Sequence, residues 1–378
     1  MDKKTKSNQN LPSGWRKVKL GEVADISYGK DLPTRKLKPA GFPVYGGNGI
    51  IGYSDKYLFE DPKIIIGCRG AYSGNIFRTK PKSFVTHNSL ILNFKDETID
   101  ELFIFYKLLC SNVKSTITGS AQPQITITEL EQLELDLPSS EEQKRIADIL
   151  SAFDDKIEVN NKISRTLEEM VQAIFKDWFV KKSKFKKQSA KLNKLVKAQY
   201  GYTESASDKK IGPKFLRVTD INKADWIDWD SVPYCKINSR DFSKYKLSKG
   251  DVVIARMADP GKVAIVEEDI DAVFASYLIR LQIVSDYISP YFLFYYLRSS
   301  LYQNFIFGAS TGTTRQSANA RVITDVELEI PPKEKIIEFE HIASVIREKI
   351  RLNVNENQKL AALRDLLLPK LMNGEIKL

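Results

Sequence analysis

Leu133-Glu134-Leu135-Asp136-Leu137-Pro138 returns 193 positions later as Val326-Glu327-Leu328-Glu329-Ile330-Pro331. Apolar residues alternate with acids in both copies, the period of a half-buried strand, and proline ends each run. A stretch of helical periodicity follows each copy, and the match continues through it without a gap. Glu141/Glu334, Ile149/Ile342, Lys156/Lys349, Ile157/Ile350, Asn160/Asn353 and Leu167/Leu360 are identical. Upstream the echo runs at an offset of 189, where Ile99-x-x-x-Phe103-x-Phe105-Tyr106 answers Ile288-x-x-x-Phe292-x-Phe294-Tyr295. The step between the two offsets falls after Gly119 and Gly308, where a loop insertion fits. A repeat of this length is too long for a solenoid unit. It is a whole module written twice, which suits a target that is itself doubled or two-fold.

The long helices have clean starts. Pro138 stops the first strand, and Ser140-x-x-Gln143 has the spacing of a capping box. Apolar residues then recur at steps of four and three: Ile146, Leu150, Phe153, Ile157, then Leu167, Val171, Ile174 and Trp178. This is a heptad seam, interrupted at Asn160 and Ser164. Its partner shows Phe339, Ala343, Ile346, Ile350, Leu360, Leu367 and Leu371, interrupted at Asn353 and Asn357. A helix of forty residues is ~60 Å long, more stripe than one small domain can bury. The two helices are therefore expected to pair with each other, antiparallel. In such a pair equivalent positions meet only at the centre, so Asn160 and Asn353 are expected either to face each other and set the register, or to sit partly exposed at weak points of the seam.

Bulk composition bounds the rest. The chain has 378 residues, enough for two or three domains with real cores, and 42% hydrophobic with 28% charged residues is ordinary globular composition. No apolar run approaches a membrane span, and Met1 to Asn10 lacks the apolar core of a signal peptide. That start reads as a disordered tail. Cys68, Cys110 and Cys235 lie far apart, as buried small hydrophobes in a reducing cytosol would, not as zinc ligands or disulfides. Short apolar runs broken by Gly and Pro, such as Lys63-Ile64-Ile65-Ile66-Gly67 and Asp251-Val252-Val253-Ile254, mark strands of a compact β-rich fold in each copy. The net charge is +10, and Lys181 to Lys197 carries eight lysines and no acid. That segment is either a solvated linker after a helix or a stripe that contacts phosphates.

The chemistry of an enzyme is hard to find. Two histidines, His87 and His341, leave little for histidine-based metal or general-base sites. There is no G-x-x-x-x-G-K-[ST] loop and no Asn-Pro-Pro-Tyr or Asp-Pro-Pro-Tyr tetrapeptide. Gly46-Gly47-x-Gly49-x-x-Gly52 is followed by no helical pattern and reads as a tight turn between strands. No cofactor and no metal are expected. What remains are loops suited to reading bases. The first copy offers Arg69, Arg78, His87, Asn88, Gln122 and Gln124. The second offers Lys214, Arg256, Lys262, Thr311, Thr313, Thr314, Arg315 and Gln316. Gln, Asn and Arg have bidentate geometry for A and G edges, and Ser and Thr serve edges or phosphates.

The order and duplication of several segments resemble the specificity subunit of type I restriction–modification enzymes. The segments are Leu11-Pro12-Ser13-Gly14-Trp15 at the start and Glu142-Gln143-Lys144-Arg145-Ile146-Ala147 after the first strand–proline junction. Tyr200-Gly201-Tyr202-Thr203 with Gly212-Pro213-Lys214-Phe215-Leu216-Arg217 opens the second variable region, and Leu367-Leu368-Pro369-Lys370-Leu371-Met372-Asn373-Gly374 closes the chain. The likeness spans nearly everything after residue 10. It implies an α+β fold in which two β-rich α/β target-recognition domains are separated by a pair of long antiparallel coiled-coil helices, an internal pseudo-two-fold repeat. The expected layout is a tail (1–10), recognition domain 1 (11–138), a long helix (139–182), a basic linker (183–199), recognition domain 2 (200–331) and a second long helix (332–378). It also implies a cytoplasmic, non-catalytic protein with double-stranded DNA, two methyltransferase subunits and restriction or translocase subunits as partners. The second junction, Pro331-Pro332-Lys333-Glu334-Lys335-Ile336, lacks the Glu-Gln-Lys-x-Ile-Ala run, so the second methyltransferase contact is expected to differ from the first. A coiled-coil scaffold without sequence-specific DNA binding is the rival reading, and a nucleic-acid enzyme acting alone is a weaker one.

Overall fold

The computed structural model describes residues 11–119, 122–181, 188–223, 225–309 and 317–378. They form two compact units, one from the chain up to residue 157 together with 358–378, the other from 158–357. Each long helix, Ser140–Phe175 and Lys333–Met372, begins in one unit and ends in the other. The expected tail, 1–10, lies outside the described residues. Among the described residues no helix is long and apolar enough to cross a membrane.

The strands of the first unit are β1 (Arg16–Lys19), β2 (Ala24–Tyr28), β3 (Phe42–Gly46), β4 (Gly49–Ser54), β5 (Ile64–Gly67), β6 (Ile76–Arg78), β7 (Phe84–Val85), β8 (Ser89–Phe94) and β9 (Glu134–Leu137). The repeated strand β9 pairs antiparallel with β1. A four-stranded antiparallel sheet runs β2-β8-β5-β6, and β3 pairs with β4 on one side and in parallel with β7 on the other. The central strands of the four-stranded sheet, β5 and β8, carry the apolar runs Ile64–Ile66 and Leu90–Leu92 because both faces are covered there. Ile64, Ile66, Leu90 and Leu92 point into the main core with Trp15, Phe103 and Leu150, while Ile65 and Ile91 point the other way, towards Tyr45 and Val85. Leu371 and Met372, from the end of the second long helix, complete the main core, and Lys107 Nζ donates to the Met372 carbonyl at 2.8 Å. The Gly46–Gly49 segment is the turn of the β3–β4 hairpin, as its sequence indicates.

The second unit repeats this plan with β10 (Gln188–Lys191), β11 (Val196–Tyr200), β12 (Lys214–Leu216), β13 (Val252–Ala255), β14 (Val263–Ile265), β15 (Ala272–Phe274), β16 (Leu278–Ile283) and β17 (Glu327–Ile330). Strand β17 pairs with β10, the four-stranded order is β11-β16-β13-β14, and β12 runs parallel to β15. Residues 188–199, expected as the end of a basic linker, instead form β10, a helical turn and most of β11. The lysines stay outside while Leu192, Leu195 and Val196 are buried. The described strands of this unit therefore begin at 188, and a third offset, 172, relates Leu20 and Tyr28-Gly29 to Leu192 and Tyr200-Gly201. Residues 183–187 lie outside the described residues.

The first helix is capped one residue earlier than the sequence indicates. Ser139 Oγ accepts the Glu142 N–H, and Gln143 donates its side-chain amide to the Pro138 carbonyl. In both units the helix segments run antiparallel. In the first unit Asp154 pairs with Arg364 and accepts the Tyr106 hydroxyl at 2.6 Å. In the second, Asn160 and Asn353 are fully buried but do not face each other, which corrects the expected Asn160–Asn353 pair. Asn160 Nδ2 donates to Asn357 Oδ1 at 2.9 Å and to Glu356 at 2.8 Å, and Asn353 Nδ2 donates to Ser164 Oγ at 3.2 Å. The crossing point falls between residues 160 and 164, so each asparagine meets the position four residues beyond its equivalent. Asn160–Asn357 and Ser164–Asn353 are thus one contact made twice by the repeat.

A buried ionic hub ties the second domain to its helix segments. Arg347, 1% exposed, donates to Glu168 at 2.7 Å and, through Nε and Nη2, to both oxygens of Glu267 at 2.8 and 2.6 Å. Arg298 bridges Glu168 at 2.8 Å and Asp225 at 2.6 Å, and the Tyr295 hydroxyl donates to Glu168 at 2.9 Å. Burial pushes the Glu168 carboxyl up, but Arg347 and Arg298 outweigh it and hold the carboxyl below its ordinary value.

Candidate nucleic-acid interface

The polar residues singled out in the first copy come from separate loops, and the sheet gathers most of them at one end. Gly67 at the end of β5 faces Ser89 at the start of β8, so the loops that leave β5 and enter β8 emerge side by side. The Cys68 N–H donates to the Asn88 carbonyl at 2.9 Å, and His87 N–H donates to the Lys30 carbonyl at 3.2 Å. Arg69 bridges Gln124 in a short antiparallel pairing, itself closed by Thr118 and Gln124 exchanging hydrogen bonds at 2.8 and 2.9 Å. Arg69, Asn88, Gln122 and Gln124 are exposed, and His87, half-buried, holds Nδ1 3.2 Å from Asp31. Arg78 is not part of this group. It ends β6 opposite Ile64, at the far end of the sheet.

Gly29 makes the group possible. The chain leaves β2 so close to β7 that a Cβ there would lie 2.3 Å from the Thr86 carbonyl oxygen. This close approach puts Tyr28, 43% exposed, at the rim of the same loops. Sequence reasoning missed it, because a strand-final tyrosine reads as packing.

The second domain builds the same frame. Gly201 takes the place of Gly29, with a Cβ there 2.2 Å from the Ala275 carbonyl oxygen, and Tyr200 is 44% exposed. The Arg256 N–H donates to the Tyr277 carbonyl at 2.9 Å, Met257 bridges Ser317, and Tyr202 pairs in parallel with Ala275 as Lys30 does with Thr86. Arg256 stacks its guanidinium 5.2 Å from the Tyr200 ring centre. Lys262, at the return of the β13–β14 hairpin, borders the group, and its carbonyl accepts the Ala255 N–H. Lys214 does not belong to it. Its ammonium donates to the carbonyls of Asp230 and Val232 at 3.2 and 2.8 Å and lies over the Tyr234 ring. Thr311, Thr313, Thr314, Arg315 and Gln316 lie outside the described residues. No group of three or more potential metal ligands occurs among the described residues.

Each sheet thus ends in a hydrogen-bonded backbone frame: the first presents amide, guanidinium, imidazole and phenol groups, and the second guanidinium, hydroxyl, thioether and phenol groups. Such groups suit hydrogen bonding to base edges and phosphates. Two copies of one frame with unlike side chains define a duplicated recognition module. The chain belongs to the type I restriction modification DNA specificity domain family, whose model matches it twice, over residues 12–169 and 184–363. It is 25% identical over 402 residues to the MjaVIII type I restriction enzyme specificity subunit of Methanocaldococcus jannaschii, covering 97% of this chain and 94% of that protein. It is 26% identical over 436 residues to the HindI specificity subunit of Haemophilus influenzae, covering 93% and 90%. Its fold is similar to that of the type I restriction-modification S subunit from M. genitalium, with a TM-score of 0.63 at 17% identity over 98% and 99% of the two chains.

Proposed function

We propose that this chain is the non-catalytic specificity subunit of a type I restriction–modification complex. Each domain reads one half of an asymmetric bipartite DNA site, and the helix pair fixes the gap between the halves. The observation that carries this reading is the loop frame built twice, with the same backbone and different side chains. One frame used twice engages two stretches of duplex in the same way. Different side chains make the two stretches different in sequence. Phosphate contacts supply most of the affinity and its salt dependence, and base contacts supply selectivity.

The helices are also the surface on which two methyltransferase subunits dock, with restriction or translocating subunits joining them. Support comes from apolar residues left facing solvent at repeat-equivalent positions. Val159 and Leu352 are 48% and 49% exposed, and Met170 and Leu363 are 49% and 50% exposed. Two equivalent apolar positions suit two copies of one partner. Methylation and cleavage then belong to the partners, and this chain needs no cofactor of its own.

Exchanging residues 188–331 for the corresponding domain of another such protein tests the reading. The target read by the assembled methyltransferase is expected to change in one half and keep the other half and the gap. A change in both halves contradicts it.

A further inference from the structure

The two loop frames share a set of matched backbone hydrogen bonds. Gly29 and Gly201 donate their N–H groups to Ser89 and Leu278 at 3.1 and 3.2 Å, and Ile125 and Ala318 donate theirs to Cys68 and Arg256 at 3.0 and 2.9 Å. The bridges Arg69–Gln124 and Met257–Ser317 occupy the same place. Because the backbones coincide in pattern, positions can be matched individually: 69 with 257, 87 with 276, 88 with 277 and 124 with 317. The first frame fills these four with Arg69, His87, Asn88 and Gln124, and the second with Met257, Ser276, Tyr277 and Ser317. At the rim of both stands the same exposed residue, Tyr28 or Tyr200.

Resting on the reading of the chain as a DNA-specificity subunit, we infer that these four matched positions are a common reading register for base edges, and that the shared tyrosine contacts the DNA backbone. The division follows from chemistry. A contact made to every half-site must be indifferent to sequence, as a phenol on a phosphate or sugar is, and it is kept identical. Positions that discriminate must differ where half-sites differ. Arg, Asn and Gln at three of the four are the side chains with bidentate geometry for G and A, whereas the second frame has no bidentate side chain at its four. The first half-site should therefore be read through purine major-groove edges. The second should be read through apolar and single hydroxyl contacts, with the Arg256 guanidinium held against Tyr200 beside them.

The test transplants the register in the full chain: M257R/S276H/Y277N/S317Q, co-expressed with its methyltransferase, followed by single-molecule methylation sequencing. The second half of the motif is expected to change and to acquire bases of the first half, with the first half and the gap unchanged. An unchanged motif, or change in both halves, overturns the inference. If the transplanted chain does not fold, N88A and Q124A serve in its place. Each should relax the first half alone, losing about 5- to 150-fold discrimination at one base pair, and no relaxation overturns the inference. Y28F and Y200F should weaken DNA binding with no change of motif, and a changed motif in either assigns the tyrosine to base reading instead. A wild-type chain that yields no bipartite motif would overturn the specificity-subunit reading itself, an outcome distinct from all of these.

Discussion

The buried hub makes a quantitative prediction. Glu168→Gln keeps the shape of the side chain but removes the charge that faces Arg347 at 2.7 Å and Arg298 at 2.8 Å. The new amide would also point its NH2 donors at one of the two cations, leaving only a neutral carbonyl for the other. Glu168 and Arg347 have side chains 2% and 1% exposed, so solvent offers neither screening nor replacement hydration. Breaking a buried pair from one side costs about 3–5 kcal/mol. The loss should appear in the second unit, where Trp178, Trp226 and Trp229 lie, so tryptophan fluorescence during urea unfolding follows it. The sign with pH is fixed by the depressed carboxyl. Its contribution is complete above the ordinary carboxylate range and fades as pH falls through the folded-state value, so the wild type should lose its advantage over the variant in acid. A loss below about 1 kcal/mol, the range of exposed pairs, would refute the claim that the hub holds the domain to its helices.

Three further outcomes are expected. Asp154→Asn, at the partly exposed Asp154–Arg364 contact of the first unit, should cost only about 1 kcal/mol, measured by the same unfolding. Replacing Asn160, Ser164, Asn353 and Asn357 together with leucine or alanine should leave stability equal or higher while the seam loses its unique register. Methylation sequencing should then show more than one gap length, and a single retained gap counts against the role given to these residues. Gly29→Ala and Gly201→Ala force a Cβ against backbone oxygen at 2.3 and 2.2 Å. Each should weaken DNA binding by the assembled complex and degrade only its own half of the motif, and normal reading by both variants would show that the close approach is not needed.

Much of this architecture is legible in the sequence because the helices write it in a period and a repeat. The heptad seam survives in Ile146, Leu150, Val171, Phe339, Ala343 and Ile350, all buried. The asparagines are legible as interruptions of the seam, but their partners depend on where the helices cross, a quantity that side-chain spacing alone leaves open. The start of the second domain was hidden by composition. Eight lysines in one segment signal solvent, yet the last three, Lys191, Lys194 and Lys197, are interleaved with Leu192, Leu195 and Val196, which are buried. The parallel pairing of β12 with β15 joins residues too distant in sequence for any local pattern to reveal. At the interface, Arg69, Asn88 and Gln124 stand out as side chains with bidentate geometry placed in loops. Lys214 looked equally free, but the carbonyls that hold its ammonium come from residues 230 and 232. The equivalence of Tyr28 and Tyr200 is hidden in the sequence because it lies at an offset of 172, apart from the longer echoes at 189 and 193.

In this scheme one chain directs modification to two unlike half-sites. Single-molecule methylation sequencing of cells that express the chain with its methyltransferase, against cells lacking the chain, measures this directly. The expected result is a methylated motif of two different short halves around a fixed unread gap, present only with the chain. Absence of any such motif, while the same methyltransferase is active beside another specificity chain, would contradict it.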